Sequence, residues 1–198
     1  MTDPLTRLRS RVSLVPLLVP LIAVIVTGAG AVWLSTWLRT TVVILVRHAE
    51  PAVSNTGDPD LSPVGERRAA LLGPFLADAL PGRTVDHLYA ADTRRAQQTA
   101  ASVANHFKLP MNLLAGSDWS GLASRLRRDH RGETIVVVGY ASTIPGVLNQ
   151  LSASTLTPDP DDFGSVFVVV VPSPGQPRTV RLRYGEPAKP LAGPVQKR

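Results

Sequence analysis

Cysteine is absent from the 198 residues, which excludes a disulfide framework, a thiolate-bound zinc or iron–sulfur centre and a thiol nucleophile. That absence leaves the redox compartment open. Aromatic residues amount to only 5% and lysine is scarce, whereas nucleic-acid binders cluster Lys and Arg and interleave aromatics. The net charge of +6 is dispersed: half of it comes from Arg7, Arg9, Arg11 and Arg39 against Asp3. The one later basic run, Arg125, Arg127, Arg128 and Arg131, reads as a solvated helix face. Nucleic acid is therefore not an expected partner. With 44% hydrophobic and 18% charged residues, the chain is neither disordered nor fibrous.

Charge is missing altogether from residues 12–38, VSLVPLLVPLIAVIVTGAGAVWLSTWL. A helix needs roughly 20 apolar residues to cross about 30 Å of hydrocarbon. Pro16 and Pro20 are tolerated better in a membrane helix than in a soluble one. Trp33 and Trp37 lie near the far end, where indoles favour the headgroup region. Three arginines precede the segment, so the positive-inside bias puts the N-terminus in the cytoplasm and the rest of the chain outside it. A cleaved signal peptide is the competing reading, with Ala29-Gly30-Ala31 as a cleavage stretch. The continuation through Val32, Trp33 and Leu34 favours an uncleaved anchor; cleavage would give a secreted domain. The expected organisation is a basic N-terminus over 1–11, a transmembrane anchor over 12–38, a domain over 40–184 and a Pro-rich tail over 185–198.

Beyond the anchor, strands and helices alternate. Residues 41–46 (TVVILV) and 134–138 (TIVVV) are β-branched apolar runs of the kind buried on both faces of a sheet. A shorter strand is expected over 85–89, and a strand pair over 165–171 and 179–184. Ser62-Pro63 marks a helix start, with serine as cap and proline in the first turn, and Pro81-Gly82 ends that helix. Further helices are expected from Asp92 or Thr93 to about Phe107, over 118–130, and from the glycine after the 134–138 strand through Leu151. This pattern gives an α/β fold, a three-layer sandwich with a mainly parallel sheet, preceded by one N-terminal transmembrane helix.

In such sheets ligands bind beyond the C-terminal ends of the strands. Arg47-His48 closes the first strand and Arg94-Arg95 opens the helix after the second. Guanidinium forks suit phosphate oxygens, helix N-terminal amides add positive potential, and a neutral imidazole can attack phosphorus. Glu50, Asp58, Asp92, Asp118 and Asp162 are the acids near candidate loops. Glu50 is expected to orient the arginine pocket, and Asp58, Asp92 and Asp118 have ordinary turn or cap readings. His87, His106 and His130 lie on other elements and lack paired metal-ligand spacing, so no metal site is expected.

VRHAE at 46–50, LSPVGERRA at 61–69 and DTRRAQQTA at 92–100, followed by VVVGYASTIPGVL at 136–148, resemble the histidine phosphatase superfamily, the phosphoglycerate mutase-like fold. The resemblance implies that His48 is the phospho-accepting nucleophile, with Arg47 and Arg95 in the phosphate pocket. Thr93 and Thr143 are weaker candidates for pocket hydroxyls. It also implies phosphomonoester hydrolysis without metal or other cofactor, on a phosphorylated small molecule or phosphoprotein. One departure is informative: Tyr140 stands where the family's second catalytic histidine is expected. A second is the stretch Asp161-Asp162-Phe163-Gly164, which lacks the last acid of an acidic-aromatic-acidic pattern. These departures give the rival expectation of a pseudophosphatase that binds a phosphorylated ligand without turnover.

Overall fold

Apolar side chains at every position of 42–46 leave a strand no face to offer to water, and β1, Thr41–Arg47, buries its first six residues completely or nearly so. The structure, a computed structural model, describes residues 15–37, 40–55, 57–152, 155–156, 159 and 161–185. The expected basic N-terminus and all but the first residue of the Pro-rich tail lie outside the described residues. The chain divides between residues 38 and 39 into two compact units.

In the first unit the uncharged segment forms α1, Val15–Trp37, within the expected 12–38. Its described side chains, 18–33, are all exposed. Among the described residues no helix is long and apolar enough to cross a membrane.

In the second unit the elements run β1, α2 (Pro63–Ala79), β2 (His87–Ala91), α3 (Arg94–Phe107), β3 (Met111–Leu114), a 3-10 turn (Gly116–Trp119), α4 (Leu122–Asp129), β4 (Thr134–Gly139), α5 (Ile144–Ser152), β5 (Ser165–Val171) and β6 (Arg178–Arg183). They build one six-stranded sheet in the order β3-β2-β4-β1-β5-β6. The first four strands of that order are mutually parallel, whereas β5 runs antiparallel to both β1 and β6. The sheet is thus mixed. Helix α2 packs on α3 and α4 packs on α5. Because β1 and β4 are buried on both faces, cover is needed on both, and the two helix pairs supply it.

Local chemistry explains most boundaries. Ser62 accepts a hydrogen bond from the Gly65 amide at 3.1 Å, with Pro63 opening α2 as expected. Lys108 ends α3 in the left-handed conformation, φ 57°. The helix expected over 118–130 is split, because Gly121 adopts φ 75° and Trp119 turns into the core, 8% exposed. Strand β3 is an addition to the expected set; its first three residues are half-buried or exposed and only Leu114 is buried, so it lacks the apolar run of a central strand. Strand β2 lies two residues later than expected.

Register matters most for function. Arg47 pairs with Gly139 across β1 and β4, and Ala90 pairs with Val138 across β2 and β4. The C-terminal ends of all three strands therefore meet at one edge of the sheet, and the segments 46–50, 92–100 and 139–143 meet there with them.

Candidate active site

His48 continues the β1 ladder, its amide donating to the Gly139 carbonyl at 3.0 Å. The imidazole is 6% exposed. Its Nδ1 lies 2.8 Å from the carbonyl oxygen of Ala49, a group that can only accept, so Nδ1 carries the proton and Nε2 the lone pair. Thr99 fixes this stretch from α3: its hydroxyl accepts from the Ala49 amide at 2.9 Å and donates to the Arg95 carbonyl at 2.7 Å. Burial pushes the His48 pKa down to about 4, reinforced by Arg95 and Arg47 and opposed by the Ala49 bond and Glu50. The ring is neutral at physiological pH.

Two guanidinium groups flank it. Arg95 Nε donates to His48 Nε2 at 3.3 Å, so the lone pair is covered by a hydrogen bond in this state. Arg47 lies with its guanidinium carbon 3.9 Å from the centroid of the Phe163 ring, a cation–π contact that also holds the fork flat. Burial lowers the Arg47 pKa, against the charges of Asp161, Asp162 and Glu50.

The arrangement on the other side is aromatic. The Tyr140 ring stands edge-on to His48, centroids 6.1 Å apart, and Trp119 lies 6.1 Å beyond it. The Tyr140 hydroxyl donates towards Asp92 Oδ1 and Thr93 Oγ1, each at 3.3 Å. Gly139 is required here by Trp119, since a Cβ at that position would come 2.4 Å from the indole edge.

The structure thus brings together Arg47, His48, Arg95, Tyr140, Thr93 and Asp92, and separates others from the expected set. Glu50 does not hold Arg47 or Arg95. Its carboxylate receives Arg68 Nε at 2.9 and 3.0 Å and Arg68 Nη2 at 2.8 Å. Burial lowers the Arg68 pKa, but the hydrogen bonds and charge of Glu50 outweigh it and raise the value. Arg68, which also donates to the Tyr184 carbonyl at 3.1 Å, is a buried cation that sequence patterning missed, because Arg67 beside it is an ordinary exposed arginine. Thr143 is likewise corrected: its hydroxyl closes the turn onto the Tyr140 carbonyl and amide at 3.1 and 3.2 Å, not a pocket.

Among the acids, Asp162 is buried against Ser165, Arg181 and Arg183. Burial would raise its pKa, but these partners and the Gly164 amide hold it below the usual carboxylate range. Asp118 accepts locally from the Ala115 amide. Asp58 accepts from the Arg94 amide at 3.0 Å, at the N-terminus of α3, and lies 3.5 Å from Arg95 Nη1. Only Asp58 and Asp92, among the acids named from the sequence, touch the Arg95–Tyr140 group. A groove of about 550 Å³ between α2 and α3, with Leu61, Ala69, Pro74 and Ser102 in its walls, lies apart from this chemistry.

Residues 43–117 match the family model of the histidine phosphatase superfamily, branch 1. The domain has a histidine phosphatase-like fold. The structure of the protein histidine phosphatase SixA complexed with tungstate superposes with a TM-score of 0.59 at 16% identity, covering 72% of this chain and 96% of that one. Mycobacterial hydrolase 1 gives 0.56 at 14% identity over 75% of this chain and 100% of its own. A mycobacterial glucosyl-3-phosphoglycerate phosphatase gives 0.50 at 14% identity, covering 71% and 97%. No curated protein matches the sequence. At identities this low the neighbours carry the fold alone, and the family model matches the first part of the domain. The histidine phosphatase-like domain thus offers a neutral, buried imidazole between two guanidinium groups, an arrangement able to hold a phosphoryl group and attack its phosphorus.

Proposed function

We propose that this chain is a phosphomonoester hydrolase acting through a phosphohistidine at His48. The single observation that carries the reading is the Nδ1–H bond from His48 to the Ala49 carbonyl, which leaves Nε2 as a directed lone pair facing Arg95, with the charge of Arg47 acting on the same ring. On substrate binding the phosphoryl oxygens take over the guanidinium forks, and Arg95 releases Nε2. Nε2 then attacks phosphorus: the P–N bond forms, the P–O bond to the alcohol breaks, and the leaving oxygen takes a proton from an acid. Asp92 and Asp58 are the acids in reach of that group. Water next attacks phosphorus, the P–N electrons return to Nε2, and the carboxylate that gave up its proton in the first step takes one from the water as phosphate leaves.

Tyr140 sets the rate. By resemblance it stands at the position of the second histidine, and it presents one neutral hydroxyl already turned to Asp92 and Thr93. Losing one donor to the transition state costs about 10²–10³ in rate. That geometry also favours the second reading, a pseudophosphatase that binds a phosphorylated ligand without turnover.

The substrate class is a phosphorylated small molecule or phosphoprotein. Membrane attachment through residues 12–38, with the domain extracytoplasmic, rests on the uncharged 27-residue run and its flanking arginines.

The test is phosphate release from an aryl phosphate by the full chain in detergent, beside His48→Ala and Tyr140→His. Turnover lost in His48→Ala and raised in Tyr140→His is the expected result. Activity only in Tyr140→His gives the pseudophosphatase reading. Turnover that survives His48→Ala overturns the mechanism.

A further inference from the structure

At the opposite end of the sheet, where β2 and β4 begin, two histidines from separate elements come into ring contact. His87 opens β2 and His130 caps the C-terminus of α4, with ring centroids 4.3 Å apart. Glu133 joins them from the turn leading into β4. Its Oε2 lies 2.7 Å from His130 Nδ1 and 3.1 Å from His87 Nε2. The turn is shaped for this: Gly132 takes φ 83°, and the Glu133 amide donates to the His130 carbonyl at 3.3 Å. Both side chains therefore rise on the same side. Thr41 at the start of β1 ties the turn down, bonding the His130 carbonyl at 3.1 Å and the Gly132 amide at 2.9 Å.

One ligand atom from each of these three residues lies within 4.8 Å of the others. Tetrahedral zinc, with Zn–N and Zn–O bonds near 2.0–2.2 Å, places neighbouring ligand atoms about 3.3 Å apart. To reach that spacing the carboxylate oxygen moves outward by about 0.6 Å from His130 Nδ1 and about 0.2 Å from His87 Nε2. A second partner is already in position, since the Tyr89 hydroxyl lies 2.9 Å from His130 Nε2. Metal ligation at Nδ1 requires the ring proton on Nε2, and Tyr89 can accept it there. Such an outer partner fixes tautomer and ring orientation. His87 and Glu133 are each more than a third exposed, so a fourth position is open to water.

The geometry points to a divalent metal site of zinc type formed by His87, His130 and Glu133, remote from His48. The spacing along the chain does not announce such a group, because the two histidines are 43 positions apart and the parallel pairing of β2 with β4 brings them together. The donor set, two imidazoles and one carboxylate, suits zinc over magnesium or calcium, which prefer all-oxygen ligands. The ion would clip three segments, the entry to β2, the end of α4 and the turn before β4.

The test uses the full chain in detergent, stripped with a chelator and titrated with Co²⁺ for its visible spectrum and with Zn²⁺ in competition. One equivalent is expected to bind, giving the intense bands of a four-coordinate site and a thermal midpoint that rises with metal concentration. His87→Ala and Glu133→Gln should abolish both signals. Tyr89→Phe should weaken binding by about 10–100-fold, and His106→Ala should bind like the parent. If His87→Ala fails to fold, Glu133→Gln decides alone. Absence of binding in the parent, or binding that persists in Glu133→Gln, overturns the proposal, as does binding that disappears in His48→Ala.

Discussion

Desolvation of His48 is expected to keep it neutral far into the acid range. The ring is 6% exposed, its pKa is pushed down to about 4, and Arg95 and Arg47 add like charge to the penalty. Against an ordinary imidazole value near 6.5 the displacement corresponds to about 3 kcal/mol between the protonation states. The sign follows from proton counting. Between pH 4 and pH 6.5 the unfolded chain binds a proton at this position that the folded chain does not, so stability rises with pH across that window. His48 thus contributes its full share above pH 6.5 and loses it as the pH falls towards 4. Histidine ring resonances of the full chain, followed by NMR from pH 7 to 4 and assigned with His48→Gln, provide the assay. The signal missing from His48→Gln should stay at its neutral position to about pH 4.5. Melting curves of the same pair should converge as the pH is lowered, because His48→Gln has nothing to protonate there. An His48 midpoint near 6.5 refutes the reasoning, since neither burial nor the flanking guanidiniums would then be acting on the ring.

Arg68→Met should destabilise the domain by about 3–5 kcal/mol in urea unfolding, because it leaves the Glu50 carboxylate without its buried cation. Gly65→Ala should lower the urea midpoint by about 1–3 kcal/mol in equivalent stability, since its Cβ would lie 2.2 Å from the Glu50 carbonyl oxygen and backbone must move. Arg95→Lys keeps the charge but loses the planar fork and the bond to Nε2. Orthovanadate inhibition or binding should weaken by about 10–100-fold, read by competition or calorimetry.

The sequence made the central strands legible because β1 and β4 carry apolar residues through their length, a pattern compatible only with a two-sided interior. It made the Arg47–His48–Arg95 group legible because each member sits beside a strand end, and the parallel register of β1, β4 and β2 gathers strand ends by construction. Polar side chains were harder. Glu50 and Thr143 stood at the right places along the chain, yet each is consumed by a neighbour, Arg68 for the first and the Tyr140 backbone for the second. Nothing in the order of residues distinguishes a buried Arg68 from the exposed Arg67 before it. Phe163 and Trp119, which shape the two sides of the site, come from irregular segments whose direction depends on the tertiary path. Helix α1 illustrates the remaining difficulty, since absence of charge announces an apolar environment without naming it.

The place of β1 has a mechanical consequence. It is the first strand of the domain, yet it lies inside the sheet, with six residue pairs to β4 on one side and six to β5 on the other. A pull on the chain at residue 40 is directed along this strand, so both ladders are loaded in shear and their bonds must fail together. An edge strand such as β6 would instead peel away one bond at a time. Whatever the N-terminal segment is fastened to, the domain hangs from an interior strand held along both its edges.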